Sequence, residues 1–90
     1  MRPAILLVDD DATLLSVLAR RLVREGYDVQ TAPSGPHALK LLERAWPQLL
    51  VVDLMMPGMD GFELCARVKR IADLPIIVLS AVDASEAKVR

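Results

Sequence analysis

The sequence has few of the residues that support metal sites or disulfides in very small domains. Its 90 residues include one each of Trp, Tyr and Phe, one histidine and one cysteine. The single cysteine, Cys65, cannot form an internal disulfide, and one histidine with one cysteine offers no typical zinc or copper site. Because 53% of the residues are nonetheless hydrophobic, we expect one small domain with an aliphatic core, in which Cys65 is a small packing side chain.

An excess of charge and a long hydrophobic run are also missing. Eleven basic and twelve acidic residues leave a formal net charge of -1. The domain therefore has no excess of positive charge to attract nucleic acid or an anionic membrane. The first apolar run, residues 4–8, is too short for a signal-peptide core, and no run approaches transmembrane length. We therefore expect a cytoplasmic protein whose domain binds neither nucleic acid nor membrane.

Glycine-rich phosphate-binding loops are absent as well. Acidic residues follow the first apolar run, where a nucleotide-binding protein would have Gly-x-Gly-x-x-Gly or a loop ending in Gly-Lys-Ser/Thr. This absence excludes the common dinucleotide-binding and P-loop classes.

Short apolar runs alternate with helical patterns along the chain. Such alternation is typical of βαβ units and predicts an α/β fold, with a parallel sheet covered by helices on both faces. The predicted strands are Ala4–Val8, Asp28–Ala32, Leu49–Asp53 and Ile76–Ser80. Everything in residues 1–90 belongs to this one unit.

Three predicted helices connect the strands. The first runs from about Ala12 to Glu25, before a left-handed cap at Gly26. The second has Ser34 as its N-cap and is stopped by Pro47, and the third begins at Asp60. Apolar spacing places Leu14, Leu15, Leu18 and Leu22 on one face of the first helix and predicts a buried stripe of Leu64, Val68, Ile71 and Ala72 on the third.

Polar residues follow three of the predicted strands. The first strand leads into Asp9, Asp10 and Asp11, the third ends at Asp53, and the fourth ends at Ser80. The carboxyl ends of parallel strands meet at one edge of a sheet, where ligands bind. Carboxylates gathered there repel one another unless a cation is bound. Mg²⁺ prefers such oxygen ligands, so we predict a magnesium site.

A carboxylate beside Mg²⁺ can attack a phosphoryl donor and form an aspartyl phosphate. Asp9, Asp10 and Asp53 are the candidates for this chemistry, whereas Asp11 is interpreted as a turn former or helix cap. His37 falls in the first turn of the second helix and is expected to be a surface residue.

Three segments make the chain resemble the response-regulator receiver domain of two-component signalling. They are ILLVDD at 5–10, VVDLMMPGMDG at 51–61 and PIIVLSA at 75–81. The resemblance implies a flavodoxin-like open sheet in the strand order 2-1-3-4. It also implies a protein that is not an enzyme in its own right but assists its own phosphorylation and dephosphorylation, with transcription regulation as a common output.

The same resemblance assigns roles to particular residues. Asp53 would be the phosphoacceptor and a sensor histidine kinase the donor. Asp9 and Asp10 would bind Mg²⁺ together with Asp53 and the main-chain carbonyl of Met55. Ser80 would be the switch hydroxyl that turns towards the phosphoryl group and alters protein-protein interactions.

The sequence departs from the family pattern at its C-terminal end. The family continues into a fourth helix, a fifth strand followed by Lys-Pro, and a closing helix, so we expect residues 1–90 to be a C-terminally incomplete receiver. Lys69 and Lys88 do not follow a fifth strand and do not replace that lysine. The open edge of the fourth strand and the apolar surface at Leu14 or Leu18 predict a homo-oligomer.

Two other functions remain open at this point. One is a phosphorylation-independent dimerisation or interaction module with a vestigial acidic site. The other is a phosphatase or mutase that forms an aspartyl phosphate. Such enzymes usually have an Asp-x-Asp motif at the end of the first strand. Here a contiguous acidic run leads directly into a helix.

Overall fold

The four predicted strands form a parallel sheet. The computed structural model describes residues 2–53, 61–71 and 73–79. Its strands and helices alternate in the order β1 Ala4–Val8, α1 Ala12–Arg24, β2 Asp28–Ala32, α2 Gly35–Arg44, β3 Leu49–Asp53, α3 Gly61–Ile71 and β4 Ile76–Leu79. The strand order is β2-β1-β3-β4, which confirms the order implied by the resemblance.

Side chains of successive strand residues point to opposite faces of the sheet, and this alternation builds two cores. Leu6, Val8, Leu50 and Val52 lie in the larger core, which the side chains of α2 and α3 complete. Ile5 and Leu7 lie in the smaller core with Leu15 of α1. The inner strands β1 and β3 are therefore covered on both faces, as their nearly continuous aliphatic sequences predict.

The ends of the first two helices follow the predicted capping pattern. Asp11 is the N-cap of α1 and accepts a hydrogen bond from the Leu14 N–H at 3.1 Å. Ser34 caps α2 in the same way through the His37 N–H at 3.3 Å. Gly26 has a φ of 98°, so the chain turns after α1 through a left-handed residue that has no Cβ to hinder it.

One predicted core residue of α3 is not buried. Leu64 and Val68 are fully buried, but Ile71 is 65% exposed, so its predicted place in the buried stripe is wrong. Leu74, which follows the helix, is only 5% exposed and lies in the larger core. The loop side chain thus closes this end of the core, and Ile71 in the last turn of α3 remains on the surface. The predicted starting residue Asp60 and the side chain of Ala72 lie outside the described residues.

Apolar side chains remain open on the α1 face of the sheet. Ile77 and Leu79 of β4 pair with Val51 and Asp53 of β3 and are 49% and 37% exposed. Leu14 of α1 is 38% exposed, which confirms the prediction of open apolar surface at this helix. Within the described ranges, no helix is both long and apolar enough to cross a membrane.

Candidate functional site

The acidic residues meet where β1 and β3 end side by side. These strands pair with Val8 opposite Val52, so the next residues, Asp9 and Asp53, emerge next to each other. One carboxylate oxygen from each of Asp9, Asp10 and Asp53 lies within 4.8 Å of the others. The structure therefore brings together the three carboxylates predicted from the strand ends.

The three carboxylates differ in their exposure to solvent. Asp9 and Asp53 are 5% and 4% exposed, whereas Asp10 is exposed. The Asp9 main-chain N–H donates to the Ala32 carbonyl at 3.1 Å, and its Oδ1 accepts the Asp11 N–H at 2.9 Å. Asp9 is thus held at the end of the sheet by hydrogen bonds on both its backbone and its side chain.

The hydrogen bond from Asp11 to Asp9 was not predicted from the sequence. The sequence predicts Asp11 as a turn former or helix cap, and the structure shows it as the N-cap of α1. Its main-chain N–H also orients the Asp9 carboxylate, in a turn between a side chain and the backbone two residues later. The acidic run could have revealed this hydrogen bond, because an Asp side chain commonly accepts the main-chain N–H of the residue two positions later.

Burial raises the pKa of the Asp9 carboxyl above its ordinary value. The hydrogen bond from the Asp11 N–H opposes this change, and the negative charges of Asp53 and Asp10 reinforce it. A buried carboxylate facing two others is unfavourable as an anion, and a bound cation relieves both the repulsion and the lost hydration.

The donor set fits a hard divalent cation. It consists of carboxylate oxygens that converge at one point, partly open to solvent through Asp10. Mg²⁺ is typically bound by one or two carboxylates while keeping several waters. Among the described residues no histidine or cysteine joins this cluster, so the ligands match magnesium better than zinc.

Removing the Asp9 charge should stabilise the metal-free protein at neutral pH. Because the pKa of Asp9 is raised on folding, its contribution to stability is present at low pH and is lost as the pH rises through the folded-state pKa. We expect Asp9→Asn, whose amide oxygen can still accept the Asp11 N–H, to raise the free energy of unfolding by about 1 kcal/mol at pH 7 in EDTA. This gain should vanish in acid, where the wild-type carboxyl is protonated in both states.

Urea denaturation with and without Mg²⁺ measures this effect. Mg²⁺ at about ten times its Kd should add about 1.4 kcal/mol to the wild-type protein and clearly less to Asp9→Asn. Asp28→Asn is the matched control, since Asp28 is exposed at the opposite end of the sheet. If Asp9→Asn were less stable than the wild type in EDTA at pH 7, the Asp9 carboxylate would not destabilise the metal-free protein, and the inferred repulsion among the carboxylates would be contradicted.

The remaining predicted site residues fall outside the cluster or outside the described residues. Met55 and Ser80 are not among the described residues. His37 is exposed, as predicted, and Cys65 packs against the larger core, where burial raises the pKa of its thiol. Lys69 donates to the Leu74 carbonyl at 3.3 Å, and this bond holds its ammonium group beside the loop that follows α3.

The sequence matches a known protein family over almost its whole length. Residues 5–90 match the response regulator receiver domain family. Transcriptional regulatory protein AfsQ1 of Streptomyces coelicolor is 48% identical over 79 residues, which cover 88% of this chain and 35% of that protein. Heme response regulator HssR of Staphylococcus aureus (strain NCTC 8325 / PS 47) is 49% identical over 85 residues, which cover 94% of this chain and 38% of that protein. The chain thus spans just over a third of the length of these relatives.

Solved structures resemble the fold closely. A receiver domain protein (CheY-like) from Methanospirillum hungatei has a TM-score of 0.88 and 28% identity over 96% of this chain and 70% of its own. Response regulator TrrA from Thermotoga maritima, solved in complex with Mg²⁺-BeF, has a TM-score of 0.84 and 34% identity over 93% of this chain and 74% of its own. Both likenesses extend across the sheet and its helices.

Proposed function

Because the chain belongs to the response regulator receiver domain family, we propose that Asp53 accepts a phosphoryl group from a sensor histidine kinase and that Mg²⁺ is its cofactor. The observation that carries this proposal is the meeting of Asp9, Asp10 and Asp53 within 4.8 Å at the ends of β1 and β3. Asp53 is the best candidate for the acceptor because it ends the inner strand β3 and is almost buried.

The reaction transfers a phosphoryl group between two partners. An Asp53 carboxylate oxygen attacks the phosphorus atom, the bond from phosphorus to the donor nitrogen breaks, and the donor histidine leaves with a proton from solvent. An aspartyl phosphate is the product, a covalent intermediate of a known kind. Water later attacks the same phosphorus atom and releases inorganic phosphate, which restores the Asp53 carboxylate.

Asp9 and Asp10 would bind the cation, and Asp53 would share it. When bound, Mg²⁺ neutralises negative charge on the phosphoryl oxygens and the carboxylates. The Asp11 N–H keeps Asp9 oriented towards the site. The Met55 carbonyl is proposed as a further ligand, and Ser80 as the hydroxyl that senses the phosphoryl group.

The names of the relatives suggest what such a domain controls. AfsQ1 is a transcriptional regulatory protein and HssR is a heme response regulator. We propose that this domain works in the cytoplasm and controls transcription through another part of a regulator, while the domain itself contacts no DNA.

A second candidate function is an interaction module that does not depend on phosphorylation. The observation that favours it is the exposure of apolar side chains at Leu14 of α1 and at Ile77 and Leu79 of β4. Such exposed side chains suit pairing with a second copy of the chain through the edge of β4 or through α1. In this candidate the acidic site is vestigial and the homo-oligomer is the active form.

Intact-mass analysis after incubation with acetyl phosphate tests the two candidates. We expect one phosphate adduct in the presence of Mg²⁺ and none in EDTA, with the adduct lost on brief treatment with base, because acyl phosphates hydrolyse readily. The absence of an adduct from protein that binds Mg²⁺ would contradict the phosphoacceptor proposal for this chain. A stable dimer with no adduct would favour the interaction module.

A further inference from the structure

A groove of about 520 Å³ runs between α2 and α3 on the outer side of the larger core. Leu39 and Leu42 of α2 form its floor, and Leu42 is only 5% exposed. Trp46, just after α2, and Ile71, in the last turn of α3, close one end of the groove. The groove thus has an apolar floor and large apolar side chains at one end.

The apolar side chains at this end remain open to solvent. Trp46 is 44% exposed and Ile71 is 65% exposed, although both are large enough to fill a core. Trp46 is also the only tryptophan in the chain and lines a second cavity of about 370 Å³ beside β1 and β2. A tryptophan and an isoleucine left open together at a groove are typical of a protein-binding surface.

The two walls of the groove carry different charges. Arg67 and Arg70 of α3 stand along one wall, and Glu43 of α2 stands on the other. Arg67 forms an ion pair with Glu63 at 3.6 Å, and both side chains are half exposed. Arg70 forms no ion pair with another residue in the described parts of the chain. The α3 wall is therefore the positive one.

This groove lies far from the acidic cluster. Trp46 precedes β3, whereas Asp53 ends it, and a strand of this length separates its ends by about 13 Å. A ligand in the groove would therefore leave Asp9, Asp10 and Asp53 accessible to a phosphodonor.

We propose that the α2–α3 groove binds an amphipathic helix of a partner protein. Apolar side chains of that helix would contact Trp46 and Ile71, and acidic side chains would pair with Arg67 and Arg70. A groove between two helices accepts a third helix through anchors spaced at i, i+3, i+4 and i+7, and Trp and Arg contribute most to such interfaces. The groove is lined by two arginines and one glutamate, and only Arg67 of the two arginines is ion-paired among the described residues, so Arg70 favours a partner with acidic side chains. This inference does not depend on phosphorylation of Asp53.

Trp46 makes the proposal directly measurable, since all tryptophan fluorescence of the chain comes from the groove. The probe is a synthetic amphipathic helical peptide of four turns, with Leu at the i, i+4, i+7 and i+11 positions and Glu beside them. We expect a blue shift of the Trp46 emission and a Kd of about 10–100 µM. A matched peptide with Lys in place of each Glu should bind at least about tenfold more weakly.

Charge variants test which wall recognises the peptide. Arg70→Glu should weaken binding of the Glu peptide about tenfold or more and strengthen that of the Lys peptide, whereas Glu43→Lys should tighten binding of the Glu peptide. Arg24→Glu is the matched control, because Arg24 is exposed at the end of α1 on the opposite face of the sheet. Far-UV circular dichroism of each variant verifies that it is folded.

Three outcomes would overturn the proposal. The first is an unchanged Trp46 emission with both peptides at millimolar concentration, and the second is equal affinity for the Glu and Lys peptides. The third is a dimer of the wild-type chain, detected by light scattering, that Arg70→Glu converts to a monomer. That result would assign the groove to a second copy of the chain.

Discussion

Asp53→Asn should abolish the phosphate adduct that the wild-type protein forms with acetyl phosphate and Mg²⁺. The amide has the same shape as the carboxylate but is a far weaker nucleophile, so a loss of at least about a thousandfold in rate is expected. Asp53 is 4% exposed at the end of an inner strand, and the proposed role of Asp9 and Asp10 is to bind the cation, so the adduct should depend on Asp53. Intact-mass time courses measure the rate.

Two further variants separate the acceptor from the residues around it. Asp10→Asn removes an exposed carboxylate of the cluster and should slow the reaction and weaken Mg²⁺ binding without removing the adduct. Asp28→Asn, exposed at the far end of β2, should behave like the wild type. An adduct of undiminished yield on Asp53→Asn would show that another residue is the acceptor.

Leu50→Ala is expected to cause the largest loss of stability. Leu50 is completely buried in β3, where it is flanked by Leu6 of β1 and Ile76 of β4. Truncating such a leucine removes its buried methyl groups and leaves a cavity, which costs about 3–4 kcal/mol. Small domains are stable by only about 5–15 kcal/mol, so much of the total would be lost.

Urea unfolding followed by circular dichroism measures this loss. Leu14→Ala is the matched control, because it makes the same chemical change at a leucine of α1 that is 38% exposed; its cost should stay below about 1 kcal/mol. Equal losses for the two variants would mean that the described core does not hold the sheet together. Because Asp53 lies three residues from Leu50 on the same strand, the Leu50 variant should also lose its phosphate adduct as it unfolds.

The strands were predictable from local pattern alone. Three of the four have the predicted bounds, and the described residues of the fourth, Ile76–Leu79, agree as well. In β1, β3 and β4, aliphatic runs of this length bounded by Pro, Gly and acidic residues leave little choice of structure, whereas β2 is more polar. The helix starts at Asp11 and Ser34 were equally clear because a capping side chain acts on the residues that immediately follow it.

The helix ends and the outer surface were less predictable. The predicted stripe on α3 included Ile71, since helical spacing cannot show where the helix passes the end of the core. In the structure Leu74, which follows the helix, lies in the core, and Ile71 does not. Similarly, Pro47 restricts only the residue before it, Trp46, so the proline does not show that α2 already ends at Arg44 with Ala45 as an extended C-cap.

The sequence by itself determined the aliphatic sheet, the helix caps and the acidic strand ends, because each depends on residues close together in the chain. The three motifs also indicated the family that the comparisons then showed. Only the tertiary structure decided that Asp9 and Asp53 are buried while Asp10 is exposed, and that α2 and α3 enclose a groove with Trp46 and Ile71 at one end. Both features depend on how elements distant in sequence pack against one another, and no local periodicity encodes the position of that packing.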